Sequence, residues 1–230
     1  MSHTVHPYAH RLGILRDWKS RWFTGEKNYR DFLRTDILLR EWLEKRMRGH
    51  FVDTIEMERS NTTYRIIIKT SRPGMVIGRQ GEGTQKLRSD ILKEINRKKL
   101  SIPKEIKIDI EEIRVPDMHA SIVGQQIAAE LERRMPFKRV MKMAAEKMMA
   151  TKGVLGCRIT LAGRLGGAEM SRVETLKRGR LPLQTLRADI DFAIVRAHLS
   201  YGEIGIKVWV YKGDIFEKRG VPQAQNVAVK

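Results

Sequence analysis

The sequence predicts an α+β protein of two units. The first has the order α-β-β-α-α-β; the second is a two-layer α/β unit with two helices packed on a mainly antiparallel sheet. Three observations carry this. Segments with apolar residues at helical spacing (Leu87, Ile91, Ile95) alternate with segments of period two (Ile106, Ile108, Ile110). Pro116 and then Pro136 punctuate the second half before its text turns β-rich. Of 230 residues, 41% are hydrophobic and 31% charged, enough apolar material for real cores and too much for wholesale disorder.

Residues 1–27 read as an irregular basic arm with Pro7, Gly13, Gly25, Trp18 and Trp22. From Tyr29 to Arg48, Phe32, Ile37 with Leu38 and Leu39, Trp42 with Leu43, and then Met47 recur at helical spacing, and Gly49 supplies a stop. Phe51–Glu58 and Thr63–Thr70 read as strands joined by a turn at Ser60-Asn61-Thr62. Pro73 opens a short stretch to Ile77. Gly78-Arg79-Gln80-Gly81 follows, then a helix to about Lys98 and the strand around Ile108, so the first unit spans 28–115. The second spans 116–213. Ala120, Val123, Ile127 and Leu131 mark one helix, and Phe137, Met141, Ala144 and Met148 mark the next. Gly156–Ala162 reads as strand, Gly163–Arg180 as a Gly/Arg-rich stretch, and Leu186–Tyr201 and Ile204–Tyr211 as two long β segments. Residues 214–230 read as a flexible tail.

Charge narrows the function classes. Lys and Arg number 45 against 27 Asp and Glu, a net +18, which points to a polyanionic partner, with nucleic acid first. The excess is spread over three segments: 79–104 (8 − 3 = +5), 131–147 (6 − 2 = +4) and 158–187 (7 − 2 = +5). A membrane-surface reading would concentrate it on one amphipathic helix. No apolar run reaches the roughly 18–20 residues of a span, and the first residues lack the apolar core of a secretory signal. No membrane partner is expected. Cys157, the lone cysteine, cannot form an internal disulfide and fits a reducing cytoplasm.

Enzyme readings find little to hold. No G-x-x-x-x-G-K-[ST] loop and no H-E-x-x-H occurs, and one cysteine builds no Cys-based zinc site. No catalytic residue, metal or cofactor is assigned. His3, His6 and His10 crowd the arm, where RNA contact or plain exposure outweighs metal binding. Asp189 and Asp191 share a strand face and suggest either paired carboxylates for nuclease metals or ion pairs with nearby Arg187 and Arg196; the second reading is preferred. Cys157, in an apolar strand, reads as a small buried hydrophobe.

Three motifs could carry binding. In Gly78-Arg79-Gln80-Gly81, glycines at both ends allow a sharp turn and close backbone approach to phosphates. The next helix adds its positive N-terminus, and Arg79 a full charge. A GxxG alone is mostly a turn. Between two helices, inside α-β-β-α-α-β, it marks a KH domain of the prokaryotic type, which clamps about four nucleotides. Arg133 and Arg134, with Lys138, Arg139 and Lys142 just past Pro136, crowd one helix–turn–helix corner that could hold a phosphate backbone without reading bases. The run Arg164-Leu165-Gly166-Gly167, followed by Arg172, Lys177, Arg178 and Arg180, suits a hairpin pressed against folded RNA, or else a flexible surface hairpin.

With those motifs in hand, the chain resembles the family of the third protein of the small ribosomal subunit, in its bacterial form, over essentially residues 4–216. The resemblance rests on Val5-His6-Pro7 with Arg11-Leu12-Gly13-Ile14, on Trp18-Lys19-Ser20-Arg21-Trp22-Phe23, and on Arg72 through Glu82. It continues at Leu131-Glu132-Arg133-Arg134 with Phe137-Lys138-Arg139, at Gly163 through Glu169, at Leu186 through Asp191 and at Gly205 through Val210. It implies a cytoplasmic protein in the ribosome that binds small-subunit rRNA in the head. Its basic corner lines the mRNA entry tunnel and assists passive unwinding. Neighbouring small-subunit proteins ten and fourteen would pack nearby, with four and five at the tunnel. The implied rRNA contacts are Arg11, Lys19, Arg21, Trp22, Arg164, Gly166, Gly167, Arg172, Arg178 and Arg180. A free KH-type mRNA-binding regulator would need only residues 28–112. A nuclease or DNA-repair lyase lacks a convincing constellation.

Overall fold

A computed structural model describes residues 5–60, 62–100 and 105–216. His3, Asn61 of the expected turn, and most of the expected tail (217–230) lie outside them. In chain order the elements are α1 (Pro7–His10), β1 (Ser20–Arg21), α2 (Glu26–Arg46), β2 (Val52–Arg59), β3 (Thr63–Thr70), α3 (Pro73–Ile77), α4 (Glu82–Lys98) and β4 (Glu105–Glu112). Then come α5 (Ala120–Glu132), α6 (Phe137–Ala150), β5 (Gly156–Gly163), β6 (Arg172–Gly179), β7 (Ala188–Leu199) and β8 (Gly202–Asp214). None of the described helices is long and apolar enough to cross a membrane.

The first sheet has the order β1-β2-β3-β4, with β2 antiparallel to β3 and β4 parallel to it. Period-two patterning decides its faces. Ile55, Met57, Tyr64, Ile66, Ile68 and Ile106 point to one side and bury against Leu39 and Leu43 of α2 and Leu87, Ile91 and Ile95 of α4. The other side carries interleaved charge: Lys69 pairs with Glu56 (2.7 Å), and Arg65 pairs with Asp109 and with Glu58 (3.3 Å). The second sheet is wholly antiparallel, β6-β5-β8-β7. Ile204, Ile206, Val208 and Val210 alternate as expected and bury against α5 and α6 with Ile159 and Leu161.

Three elements depart from expectation. The arm is not irregular throughout: Ser20 and Arg21 form β1 and add a parallel strand to the first sheet. The Gly/Arg-rich stretch holds a full strand, β6, in register with β5 from Gly163↔Arg172 to Gly156↔Gly179. The buried face of α6 is Val140, Met141, Ala145 and Met148, with Phe137 and Ala144 half-buried at its margin.

The units dock through α5. Ser121 Oγ (3.1 Å) and Gln125 Nε2 (2.6 Å) both donate to the carbonyl of Val52, and His119 Nδ1 lies 2.8 Å from Asp53. The arm bridges both units. In the first, the backbone carbonyl of Lys19 accepts from the amide of Met57 (2.8 Å); Arg11 inserts into the second. Asp189 and Asp191 are ion-paired, but with Arg16 (2.6 Å) and Lys212 (3.7 Å) and not with the arginines nearest in sequence. Asp191 also accepts the amide of Ala120 at the start of α5 (2.9 Å). Cys157 is buried in β5, which pushes its thiol pKa up.

Candidate nucleic-acid interface

The GxxG loop is a left-handed elbow between α3 and α4. Gly78 (φ 71°), Gln80 (φ 51°) and Gly81 (φ 84°) all have positive φ, which favours glycine at the two ends. Gly78 is also hemmed in: a Cβ there would lie 2.9 Å from the amide of Gly83. Gly81 faces open space, with only Thr84 Oγ1 3.8 Å from a would-be Cβ. Gly81 is the N-cap of the 17-residue helix α4 and offers no side-chain cap. The Glu82 amide is taken by the Arg79 carbonyl and the Glu82 carboxylate stands in the first turn, so the positive end of the α4 dipole and the amides after Glu82 are what the loop can offer an anion. Arg79 is exposed beside them. Met75 (52% exposed) and Ile77 (38%) flank the loop with apolar surface, while Val76 between them is buried. Sequence reading missed Gly83. Its missing Cβ would collide with the carbonyl of Val76 and lie 2.8 Å from that of Ile77, so this glycine lets α3 and α4 cross closely.

The corner between α5 and α6 is built by Arg134, whose left-handed φ of 62° reverses the chain, and by Pro136 as N-cap of α6. Arg133, Arg134, Lys138, Arg139 and Lys142 are all exposed. None has a carboxylate within 4.0 Å among the described residues. Lys138 and Arg139 stand in the first turn of α6, which has no acidic residue. Cations at the positive end of a helix cost roughly 0.3–1 kcal/mol each. A polyanion would relieve that cost.

The hairpin between β5 and β6 turns through Gly166 (φ 71°) and Gly167 (φ 81°). Arg164 folds back to donate to the carbonyls of Ala168 (2.9 Å) and Tyr201 (3.2 Å), holding the loop closed. Arg178 pairs with Glu146 of α6 (3.0 Å). Arg172 lies over Phe137, 5.3 Å from its ring, which brings it beside the α6 end of the basic corner. Arg180 is exposed.

The arm requires the largest correction. Arg11, expected at RNA, is 0% exposed. Its guanidinium donates to the carbonyls of Ala188 (2.6 Å), Pro7 (3.0 Å), Leu183 (2.9 Å) and Thr185 (3.0 Å). Arg21 is shared by Asp17 (2.8 Å), Glu56 (3.1 Å) and Glu58 (3.0 Å), which neutralise it. Trp22 is half-buried, its Nε1 donating to Asp36 (2.8 Å), whose other oxygen accepts from the Tyr64 hydroxyl (2.8 Å). These three side chains fasten the arm to the protein. Of the four arm residues expected at RNA, Lys19 alone is exposed without a carboxylate within 4.0 Å among the described residues.

Comparison with known proteins adds the following. Residues 38–118 match the KH domain model, and residues 127–210 match the model of ribosomal protein S3, C-terminal domain. A protein named small ribosomal subunit protein uS3 from Alcanivorax borkumensis is 46% identical over 226 residues, 98% of this chain and 94% of that one. Proteins of the same name from Caldicellulosiruptor saccharolyticus (42%, covering 96% of each chain) and Magnetococcus marinus (46%, covering 95% of this chain and all of that one) are similar.

Proposed function

This chain belongs to the family of small ribosomal subunit protein uS3, and on that premise we propose that it is a structural constituent of the small subunit that binds ribosomal RNA in the head and lines the path by which mRNA enters. The family is one of ribosomal structural proteins, not of enzymes. The observation that carries the mRNA reading is the α5–α6 corner, where five exposed cations stand with no carboxylate within 4.0 Å among the described residues. Such a surface holds phosphates whatever the base sequence. The elbow at Gly78–Gly81 serves as the ribosomal-RNA clamp, with Arg164, Gly166, Gly167, Arg172, Arg178 and Arg180 shaping or lining a second RNA-facing edge. Small-subunit proteins ten and fourteen are the expected neighbours, with four and five at the entry path, in a cytoplasmic ribosome. With no phosphate-binding NTPase loop, any unwinding is passive: fixed cations grip separated strands while ribosome movement supplies the work. A free KH regulator is disfavoured because the similarity runs on through the second unit.

The test is Lys138→Ala/Arg139→Ala/Lys142→Ala. These exposed side chains can be truncated in a helix without loss of packing, so the fold and subunit entry should persist. Translation through a stable mRNA hairpin should slow while an unstructured message is little affected. Equal slowing on both messages, or exclusion of the variant from small subunits on sedimentation, would assign these residues to assembly instead.

A further inference from the structure

Helices α5 and α6 cover one face of the second sheet, and α1 with the arm covers only the Phe192 end of the other. On its other face, cross-strand pairing sets Lys177 of β6 opposite Arg158 of β5. Lys207 of β8 lies one pleat further along, opposite Thr160, and Arg196 of β7 one pleat beyond that, opposite Gly205. One cation per strand thus runs obliquely over all four strands. With strands about 4.8 Å apart and two residues spanning about 6.6 Å, the row is roughly 20 Å long.

Acidic side chains are missing from it. None of the three cross-strand rows that hold these cations contains Asp or Glu. Lys177 and Lys207 are exposed and have no carboxylate within 4.0 Å among the described residues. Arg158 rests over the indole of Trp209, 5.0 Å from its ring, with its Nε buried and unpartnered. Arg196 has only Glu203, at 3.7 Å. The corresponding open face of the first sheet is the opposite case, since there each Arg or Lys of β3 meets carboxylates. Trp209 is buried, and Phe192 is half-buried with its ring 4.8 Å from that of His6 of the arm, so neither ring lies open on the face as a stacking platform.

We infer that this oblique cation row is a further RNA surface, one that grips a single phosphodiester backbone and reads no bases. The inference rests on the RNA-binding reading above and adds a face distinct from both the GxxG elbow and the α5–α6 corner. A line of cations without interspersed acids tracks a polyanion, and with Trp209 buried and Phe192 half-buried against the arm, base stacking contributes little.

The full chain with Lys177→Gln/Lys207→Gln tests it, against a control that removes two exposed lysines elsewhere, Lys27→Gln/Lys152→Gln. The probe is in vitro-transcribed small-subunit ribosomal RNA, with affinity measured across salt. Each lost phosphate contact removes about 0.7–0.9 from the log–log slope, so the sheet variant should be shallower by roughly 1.4–1.8 and the control by less than half that. Far-UV circular dichroism checks that both variants are folded. Lysine acylation supplies a second readout: RNA should protect Lys177 and Lys207 in the wild-type chain. Equal slopes in the two variants, or protection of these lysines only when other ribosomal proteins are added, overturns the inference. Wild-type protein whose affinity ignores salt would instead overturn the RNA-binding reading itself.

Discussion

Replacing Arg11 with Met separates a structural arginine from an RNA-binding one. The native guanidinium makes four bonds to carbonyl oxygens at 2.6–3.0 Å, three of them in the second unit. Hydrogen bonds to a charged group contribute about 1.5–3 kcal/mol each, a gross loss of roughly 6–12 kcal/mol. Against this, the variant no longer bears the desolvation of a buried cation, itself several kcal/mol. A net loss of about 3 kcal/mol follows. For a chain of this size each kcal/mol shifts Tm by roughly 2–4 °C, so Arg11→Met should melt about 6–12 °C lower. Arg11→Lys should fall between, since one ammonium reaches fewer of the carbonyls. Amide exchange of residues 7–16 should accelerate in both variants. The salt slope of RNA binding should stay unchanged, because a side chain with no exposure releases no counterions. An unchanged Tm together with a shallower salt slope would refute this account and return Arg11 to the RNA.

Other outcomes follow from the same geometry. Gly81→Asp should leave the fold near native, at about 1–2 kcal/mol for a left-handed residue, while weakening RNA binding by the isolated protein. Gly83→Ala should instead lower Tm, because its methyl meets backbone carbonyls of α3; the reverse pattern on melting and filter binding would exchange the two roles. Arg139→Glu should stabilise α6 by about 0.3–1 kcal/mol through the helix dipole yet weaken RNA binding, and a variant that is both less stable and equally tight would contradict the corner's assignment. Burial, then Lys19, lowers the pKa of His6. The unfolded chain therefore binds the extra proton, and stability present at pH 7.5 should diminish as pH falls through about 6.5. Melting at pH 7.5 and 5.5 should show a smaller drop in His6→Gln than in wild type.

What could be read from the sequence was what local burial writes into it. The alternation of Ile204, Ile206, Val208 and Val210 is legible because one whole face of β8 is core. The GxxG elbow is legible because its backbone demands glycine in place. Strand β6 was not, for a physical reason: of its eight residues only Leu176 packs against the core, and both faces otherwise carry Val, Thr, Glu, Lys and Arg. Hydrogen bonding to β5 alone makes it a strand, and backbone pairing leaves no trace in side-chain periodicity. Arg11 was hidden differently. It reads as one more cation in a basic arm, since three of the four carbonyls that hold it lie 172 to 177 residues further on. Gly83 looked like an ordinary residue of a helical first turn, because the crowding it relieves comes from the previous helix.

That sequence separation also has a consequence in time. The arm leaves the synthesising ribosome before the second unit, and the carbonyl of Ala188 that receives Arg11 emerges 177 residues later. At about 5–20 residues per second, the arginine waits on the order of 9–35 s for its acceptors. The first unit can form its helices and sheet in that interval, because its core and its strand pairing extend no further than Glu112. The latch cannot close until residues 183–188, which carry three of its acceptors, have emerged. Truncated chains ending before β7 would therefore carry an undocked, positively charged N-terminus, chemically distinct from the finished protein. Closure of the arm onto the second unit marks a chain that has been synthesised at least as far as Ala188.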